Sequence, residues 1–211
     1  METDTISKNG ASSKNQVHSS VFLRKLLLFG LLCLLFDVTM FAEKGRSLVT
    51  VISGDVSVIK NPSLALLEID FSEAYVGDET MEEYKKRRGD NFIRDWPEAV
   101  SSTYISFTKF FNKKNKKGIQ LTTEAKNVTY RMVIKVTYLN MGDTFSTLIP
   151  YSSRKAGGMQ MSGTIDMIDM KTNKIVCSLN FEGVKGIGLP HVYQRLQSTF
   201  NYLADNIYLV N

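Results

Sequence analysis

The segment MQMSGTIDMIDMKTNKIVCSLNF, residues 159–181, carries the clearest structural signal in this chain. Apolar and polar residues alternate over residues 159–167, and they alternate again over residues 175–181. Such alternation is typical of a strand with one buried face. Residues 169–174 (DMKTNK) are polar enough to form a turn between the two halves. The segment therefore predicts an antiparallel hairpin with one apolar face and one largely polar face that looks outward.

Further strands are predicted upstream of this hairpin. Residues 131–140 are rich in Val, Ile, Thr and Tyr and predict a central strand. Residues 64–71 form a nearly continuous apolar run, which favours an interior strand buried on both faces. Residues 47–60 predict one bent strand or a hairpin, and Ile119-Gln120-Leu121 a short strand. Residues 142–158 are expected to form a long loop.

Three helices are predicted around this sheet. Thr80 and Glu83 have the spacing of a capping box, so a short helix should begin there. Pro97 is placed in the first turn of a second helix, with apolar residues at Val100, Tyr104, Phe107 and Phe111. Pro190 opens the last helix, which has an apolar stripe at Val192, Leu196, Phe200, Leu203 and Ile207. The predicted fold is a single α+β domain, with a mixed sheet of about five strands and two or three helices mainly on one face.

The first 42 residues are interpreted as a polar leader plus a signal peptide. Arg24 and Lys25 precede the apolar run of residues 26–36, which has the length of a signal-peptide core. Cleavage is expected before Glu43, leaving residues 43–211 as one domain. A retained single-pass membrane anchor and a buried core helix are the alternatives. Whether the segment is a cleaved signal peptide or a retained anchor, the basic residues before it place the rest of the chain outside the cytoplasm.

The composition is that of an ordinary globular protein, with 43% hydrophobic and 22% charged residues. The formal net charge of +5 is modest and both signs are spread along the chain, so no nucleic-acid partner is expected. Cys33 lies in the leader, and its removal leaves Cys177 without a disulfide partner. The hydrophobic core must therefore stabilise the domain.

No residue is assigned a catalytic, cofactor-binding or metal-binding role. His191 is the one histidine outside the leader, which disfavours histidine metal sites and leaves one candidate for a triad. Cys177 falls on the apolar face of its strand, where a thiol is inert. Residues 183–188 (GVKGIG) lack the spacing of nucleotide-binding loops. A hydrolytic site would have to use the carboxylates of the hairpin, namely Asp166, Asp169 and Glu182.

Four lysines close to one another form the one candidate binding site. They are Lys113, Lys114, Lys116 and Lys117, and Gly118 follows them. Cations favour the C-terminus of a helix and glycine commonly follows it, so a structural role accounts for the run. The alternative is a patch that binds an anionic surface.

The order of elements resembles a known family. Five features carry the likeness: the basic helix end at Lys117-Gly118, the short Ile119-Gln120-Leu121, the segment AKNVTY at residues 125–130 leading into a long strand, the hairpin, and the last helix. They are similar to the small α/β domain of Gram-negative envelope proteins, such as the curli secretion lipoprotein and the amino-terminal domain of the Tol propeller protein. Uncharacterised secreted proteins of gut bacteria share the pattern. This chain lacks the family's lipid-attachment cysteine, because Leu32 precedes Cys33.

The resemblance implies a role in assembly or binding, without catalytic residues. Together with the leader, it leads us to expect a non-enzymatic exported protein of the periplasm or cell envelope that binds an envelope protein. Membrane association is expected only if the leader is retained, as a single-pass inner-membrane anchor. A small ligand-binding or hydrolytic enzyme, and anionic-surface binding through the lysines, are the alternative functions.

Overall fold

The computed structural model describes residues 48–142 and 158–210. Within these ranges the chain forms one mixed sheet of eight strands and four helices, so the predicted α+β single domain is confirmed. The strands are β1 (Val49–Gly54), β2 (Leu64–Asp70), β3 (Tyr75–Val76), β4 (Glu79–Thr80), β5 (Gln120–Thr122), β6 (Tyr130–Asn140), β7 (Gln160–Asp169) and β8 (Lys174–Lys185). The helices are α1 (Ser57–Lys60), α2 (Met81–Arg88), α3 (Asp90–Lys114) and α4 (Val192–Tyr208).

The sheet has more strands than the five predicted. β3 and β4 contain two residues each, and strands this short leave no periodic pattern in a sequence. The main order is β1-β8-β7-β6-β2-β5, and β3 adds to β6. β6 pairs in parallel with β2 and antiparallel with β7, which confirms its central position. The predicted long loop falls largely outside the described residues.

β2 is an interior strand, as predicted, because it lies between β6 and β5. The prediction that both of its faces are buried was wrong. Ala65, Leu67 and Ile69 are buried, whereas the residues between them are half-buried. The apolar run is explained by Leu64 and Leu66, which lie on the half-buried face.

The hairpin is confirmed as β7 and β8, with Met167 opposite Cys177. A register shift follows between Met167 and Ile168, typical of a β-bulge. The extra residue reverses the alternation beyond this point, so Ile175 is 56% exposed and does not belong to the apolar face as predicted. The apolar face is otherwise fully buried, including Ile165, Cys177, Leu179 and Phe181.

The two long helices pack together and cover the apolar face of the sheet. The stripe predicted for α4 is confirmed, with Leu196, Phe200, Leu203 and Ile207 buried. α3 buries Phe107 and Phe111 in the same core, and these rings contact each other at a centroid distance of 5.9 Å. No helix in the described part of the chain has the length and hydropathy that crossing a membrane requires.

Pro97 does not begin a helix, contrary to the prediction. α3 begins at Asp90, and Pro97 lies inside it. Gly89 separates α2 from α3 with φ of 83°, a left-handed conformation that glycine adopts without strain. Phe92 and Trp96 then stack at 5.6 Å and anchor the first turns of α3 in the core. Aromatic packing thus outweighs the hydrogen bond that the proline removes.

The segment before β2 also differs from the prediction of a bent strand or hairpin. Its first part is β1, and its second part is the single-turn helix α1. Asp55 initiates this turn, because its side chain accepts hydrogen bonds from the backbone N–H and the hydroxyl of Ser57. The capping box of Thr80 and Glu83 is present as predicted at the start of α2.

Candidate functional site

The C-terminal ends of α1, α3 and α4 surround a cavity of about 630 Å³, which we call the lysine pocket. Four lysines line it: Lys60, Lys114, Lys116 and Lys117. The other lining residues include six with apolar or aromatic side chains, namely Val56, Ile59, Ile207, Tyr208, Leu209 and Val210. The pocket therefore combines a cationic side with an apolar side.

The helix ends meet there because α3 and α4 run in parallel. Ser106 Oγ lies 3.2 Å from Asn201 Oδ1, and further along both helices Lys114 Nζ lies 2.8 Å from Asp205 Oδ1. Two helix C-termini consequently face the same end of the molecule. Each carries a partial negative charge of about −0.5, which nearby lysines offset. Part of the basic character is thus accounted for by the fold itself.

The charges do not cancel. The four lysines of the pocket bring +4. Asp205, the partner of Lys114, brings −1, and the C-termini of α3 and α4 together bring about −1. The described residues around the pocket therefore retain a charge of about +2, which favours an anion.

Asn115 joins two walls of the lysine pocket. Its side chain is buried, and Nδ2 donates hydrogen bonds to the carbonyl oxygens of Ile59 at 2.9 Å and Ile119 at 3.1 Å. A Cβ atom at Gly118 would lie 2.5 Å from the Ile59 oxygen, so only glycine fits at that position. These contacts hold Lys60 next to the end of α3.

Three of the four lysines of the predicted patch line this pocket, namely Lys114, Lys116 and Lys117. Lys113 is exposed and is not among the lining residues. Lys114 is engaged by Asp205 and lies 5.4 Å from the ring centroid of Phe110. Lys60 was missed. The sequence indicates this residue in one way only: Lys60 is a basic residue directly before Asn61-Pro62, a pair that ends a helix.

The outer face of the sheet carries a buried carboxylate. Asp166 is 7% exposed, and its Oδ1 accepts a hydrogen bond from Ser178 Oγ at 2.5 Å. Lys135 Nζ lies 3.5 Å from the other carboxylate oxygen. Asp166 is therefore satisfied within the sheet and has a structural role.

The three carboxylates considered for hydrolysis do not converge. Asp166 lies opposite Ser178, and Glu182 lies four residues further along β8, or about 13 Å away at the usual rise of a strand. Glycosidase carboxylates are about 5 to 10 Å apart. Asp169 is the last residue of β7, and its Oδ1 accepts hydrogen bonds from the backbone N–H groups of Lys171 and Thr172 in the hairpin turn.

His191 and Cys177 do not form a nucleophilic pair. His191 is the exposed residue before α4 and stacks on Tyr193 at 5.4 Å. Pro190 thus precedes the helix by two residues and does not open it. Cys177 is fully buried, and burial, together with the charges of Asp55 and Asp166, raises the pKa of its thiol. In the described ranges no group of His, Cys, Asp and Glu side chains is arranged to hold a metal ion.

The glycine-rich connector uses its backbone amides internally. Gly183 N–H donates to Ser162 Oγ at 3.0 Å, Gly186 N–H to the Met159 carbonyl at 2.9 Å, and Ile187 N–H to Ser198 Oγ at 2.9 Å. A phosphate-binding loop needs such amides to point at the ligand. Residues 183–185 also belong to β8 and not to a flexible connector.

β1 forms one edge of the sheet, since β8 is its strand partner within the described residues. It contains no charged residue and no proline, the residues that usually protect such edges. Val51 is 42% exposed and Ile52 is 57% exposed. We call these two side chains the β1 edge patch.

Comparison with known proteins gives no family. No family model matches the chain, and no curated protein matches it. The PelC dodecamer from Paraburkholderia phytofirmans is similar in two crystal forms, one of them a point variant, at 12% and 13% identity. Each match covers 75% of this chain and 97% or 95% of that chain, with a TM-score of 0.40.

A further solved structure with some similarity is the putative neuraminyllactose-binding hemagglutinin homolog from Helicobacter pylori. It shares 12% identity over 74% of this chain and 86% of that chain, with a TM-score of 0.31. These scores are too low to carry an argument about function. None of these structures is of the curli lipoprotein or the Tol domain, so the family resemblance stays a prediction.

Proposed function

We propose that this chain is a non-enzymatic binding or assembly protein of the bacterial cell envelope, exported through its N-terminal leader. Its β1 edge patch is the surface that binds a partner polypeptide. The observation that carries this proposal is an edge strand with two exposed branched apolar side chains, Val51 and Ile52, and without a charge.

A strand edge of this kind favours the addition of another strand. Its backbone N–H and C=O groups supply hydrogen bonds to an extended segment, and the exposed side chains supply apolar contact area. The register shift between Val51 and Ser53 limits the regular pairing and so selects for a short partner segment.

The arrangement of the catalytic candidates supports a binding role over an enzymatic one. Asp166 is bound by Ser178 and Lys135, and Cys177 is buried. The amides of Gly183 and Gly186 are engaged in the fold. An enzyme of this sequence would have to build its site from other residues.

Site-specific photo-crosslinking in the native host tests the binding surface. A benzoylphenylalanine at Ile52 should give a crosslinked product that the same group at Ile105 does not give. Ile105 is 67% exposed but lies on α3. The variant Val51→Lys should lower the yield at Ile52, because a charge on an edge strand opposes strand addition. Equal products from both positions would overturn the proposal.

Export is tested separately by fractionation and mass spectrometry of the N-terminus. A periplasmic form beginning near Glu43 is the expected result. An intact chain in the cytoplasm would overturn the envelope assignment, and an intact chain in the membrane would replace the cleaved leader by a single anchor.

A further inference from the structure

We propose that the lysine pocket binds the phosphate group of an anionic phospholipid at a membrane surface. The site differs from the β1 edge patch in residues and in ligand chemistry, so the proposal stands without the proposed function. It begins from Lys60, Lys116 and Lys117, which are exposed and form no ion pair with another described residue. Lys114 differs from them because Asp205 engages it.

Contacts between buried residues fix the positions of the three lysines. Asn115 ties the end of α3 to the carbonyl of Ile59, the residue before Lys60. Lys116 and Lys117 follow Asn115 directly and precede Gly118, whose close approach to Ile59 fixes the backbone there. Basic groups from two distant parts of the sequence are thus held at one cavity, as a multidentate phosphate site requires.

The apolar side of the pocket distinguishes a lipid from a free anion. Ile59, Ile207 and Val210 are buried at the pocket, whereas Tyr208 and Leu209 are 54% and 61% exposed beside it. Inorganic phosphate has no apolar part that could pack against such side chains. Lysine stems and aromatic rings next to an apolar side chain are typical of groups that sit at the headgroup level of a bilayer.

The expected strength follows from the charges. One basic residue close to an anionic bilayer strengthens binding by about fivefold at physiological salt, so neutralising three should weaken it about 100-fold. The interaction should also weaken at high salt, because the Debye length shortens to about 3 Å at 1 M.

Lysine footprinting on the full-length chain tests the site directly. Acetylation of each lysine is followed by mass spectrometry with phosphatidylglycerol vesicles, with phosphatidylcholine vesicles and with inorganic phosphate. We expect phosphatidylglycerol to slow the modification of Lys60, Lys116 and Lys117 and to leave Lys86 on α2 unaffected. Equal protection by inorganic phosphate would overturn the lipid assignment, and no protection would overturn the site.

Vesicle co-sedimentation supplies the matched variants. The triple variant Lys60→Gln, Lys116→Gln and Lys117→Gln should lose binding to phosphatidylglycerol vesicles. The control Lys86→Gln, Lys109→Gln and Lys185→Gln changes the net charge equally at exposed lysines elsewhere and should retain it. Equal losses would show a response to net charge alone and would overturn the pocket. The control variant carries the same leader as the triple variant, so the difference between the two variants reports the pocket and not the leader. Footprinting of the unaltered chain decides the matter if the triple variant fails to fold.

Discussion

The side-chain amide of Asn115 donates a hydrogen bond to the backbone carbonyl of Ile59 at 2.9 Å, across 56 residues of sequence. Asn115 is 7% exposed, so this bond is made away from water. Through it the end of the longest described helix, α3, is joined to the one-turn helix α1. The geometry of the lysine pocket depends on this contact.

Replacing Asn115 by alanine should therefore destabilise the domain. Nδ2 also donates to the Ile119 carbonyl at 3.1 Å, so two buried hydrogen bonds are lost. We expect a loss of about 1 to 3 kcal/mol in the free energy of unfolding, measured by urea denaturation. The neighbouring Lys116→Ala, at an exposed position, should change it by less than about 0.5 kcal/mol. Similar effects of both variants would contradict the joining role of Asn115.

The bond between Ser178 and Asp166 should couple the two side chains energetically. A hydrogen bond to a charged group contributes about 1.5 to 3 kcal/mol, and this one is shielded from water on the outer face of the sheet. A double-mutant cycle of Asp166→Ala and Ser178→Ala should give a coupling energy of at least about 1 kcal/mol. Additive effects of the two substitutions would show that the bond does not stabilise the sheet.

The sequence predicted the features of the fold that depend on local pattern. Alternation predicted the hairpin, a spacing of about 3.6 residues predicted the stripe of α4, and composition predicted the central strand; all three are present. Features that depend on distant contacts were not predictable in this way. Pro97 lies inside α3 because Phe92 and Trp96 are packed in the core, and no local pattern reveals that packing.

The same limit explains the outcome for the candidate site. The run from Lys113 to Lys117 was visible as a cluster in the sequence, but the pocket needs Lys60 from α1. Lys60 is held near the cluster by the hydrogen bond from Asn115 to the carbonyl of the preceding residue, Ile59, and this contact leaves no periodic signal in the sequence. The exposure of Ile175 likewise depends on a bulge whose position is set by pairing with β7.

Gly163 should not tolerate even an alanine. An added Cβ would lie 2.0 Å from the Lys135 carbonyl oxygen and 2.8 Å from Cζ of Phe181, within the central part of the sheet. Gly163→Ala should reduce the free energy of unfolding by about 3 kcal/mol or more, because the backbone must shift. Thr164→Ala, one residue further along β7 on the half-buried face, should cost about 1 kcal/mol or less. A tolerated Gly163→Ala would show that β6 and β7 separate easily.

Cys177 should react only when the protein unfolds. Its side chain is fully buried, and burial raises the pKa of the thiol, so little of the reactive thiolate forms at neutral pH. Iodoacetamide labelling, followed by mass spectrometry of the peptide that contains Cys177, should be slow without denaturant and rapid in urea. Rapid labelling of the native protein would reveal local opening of β8.

The carboxyl of Asp169 should make the stability of the hairpin depend on pH. Hydrogen bonds from the backbone N–H of Thr172, and also from its hydroxyl and from Lys171 N–H, lower the pKa of Asp169. Because the folded pKa lies below the unfolded value of about 3.9, the contribution is present above about pH 4 and is lost as the pH falls through the lowered value. Asp169→Asn should therefore be less stable than the wild type at pH 5, and the difference should be smaller at a pH below about 4, in urea titrations at both values. The pKa values of Asp55 and Asp70 are lowered too, by hydrogen bonds that these carboxylates accept from Ser57 and Ser72, so the variant keeps part of the acid dependence. A constant difference between the two proteins at both pH values would show that the turn does not distinguish the charged carboxyl from the neutral one.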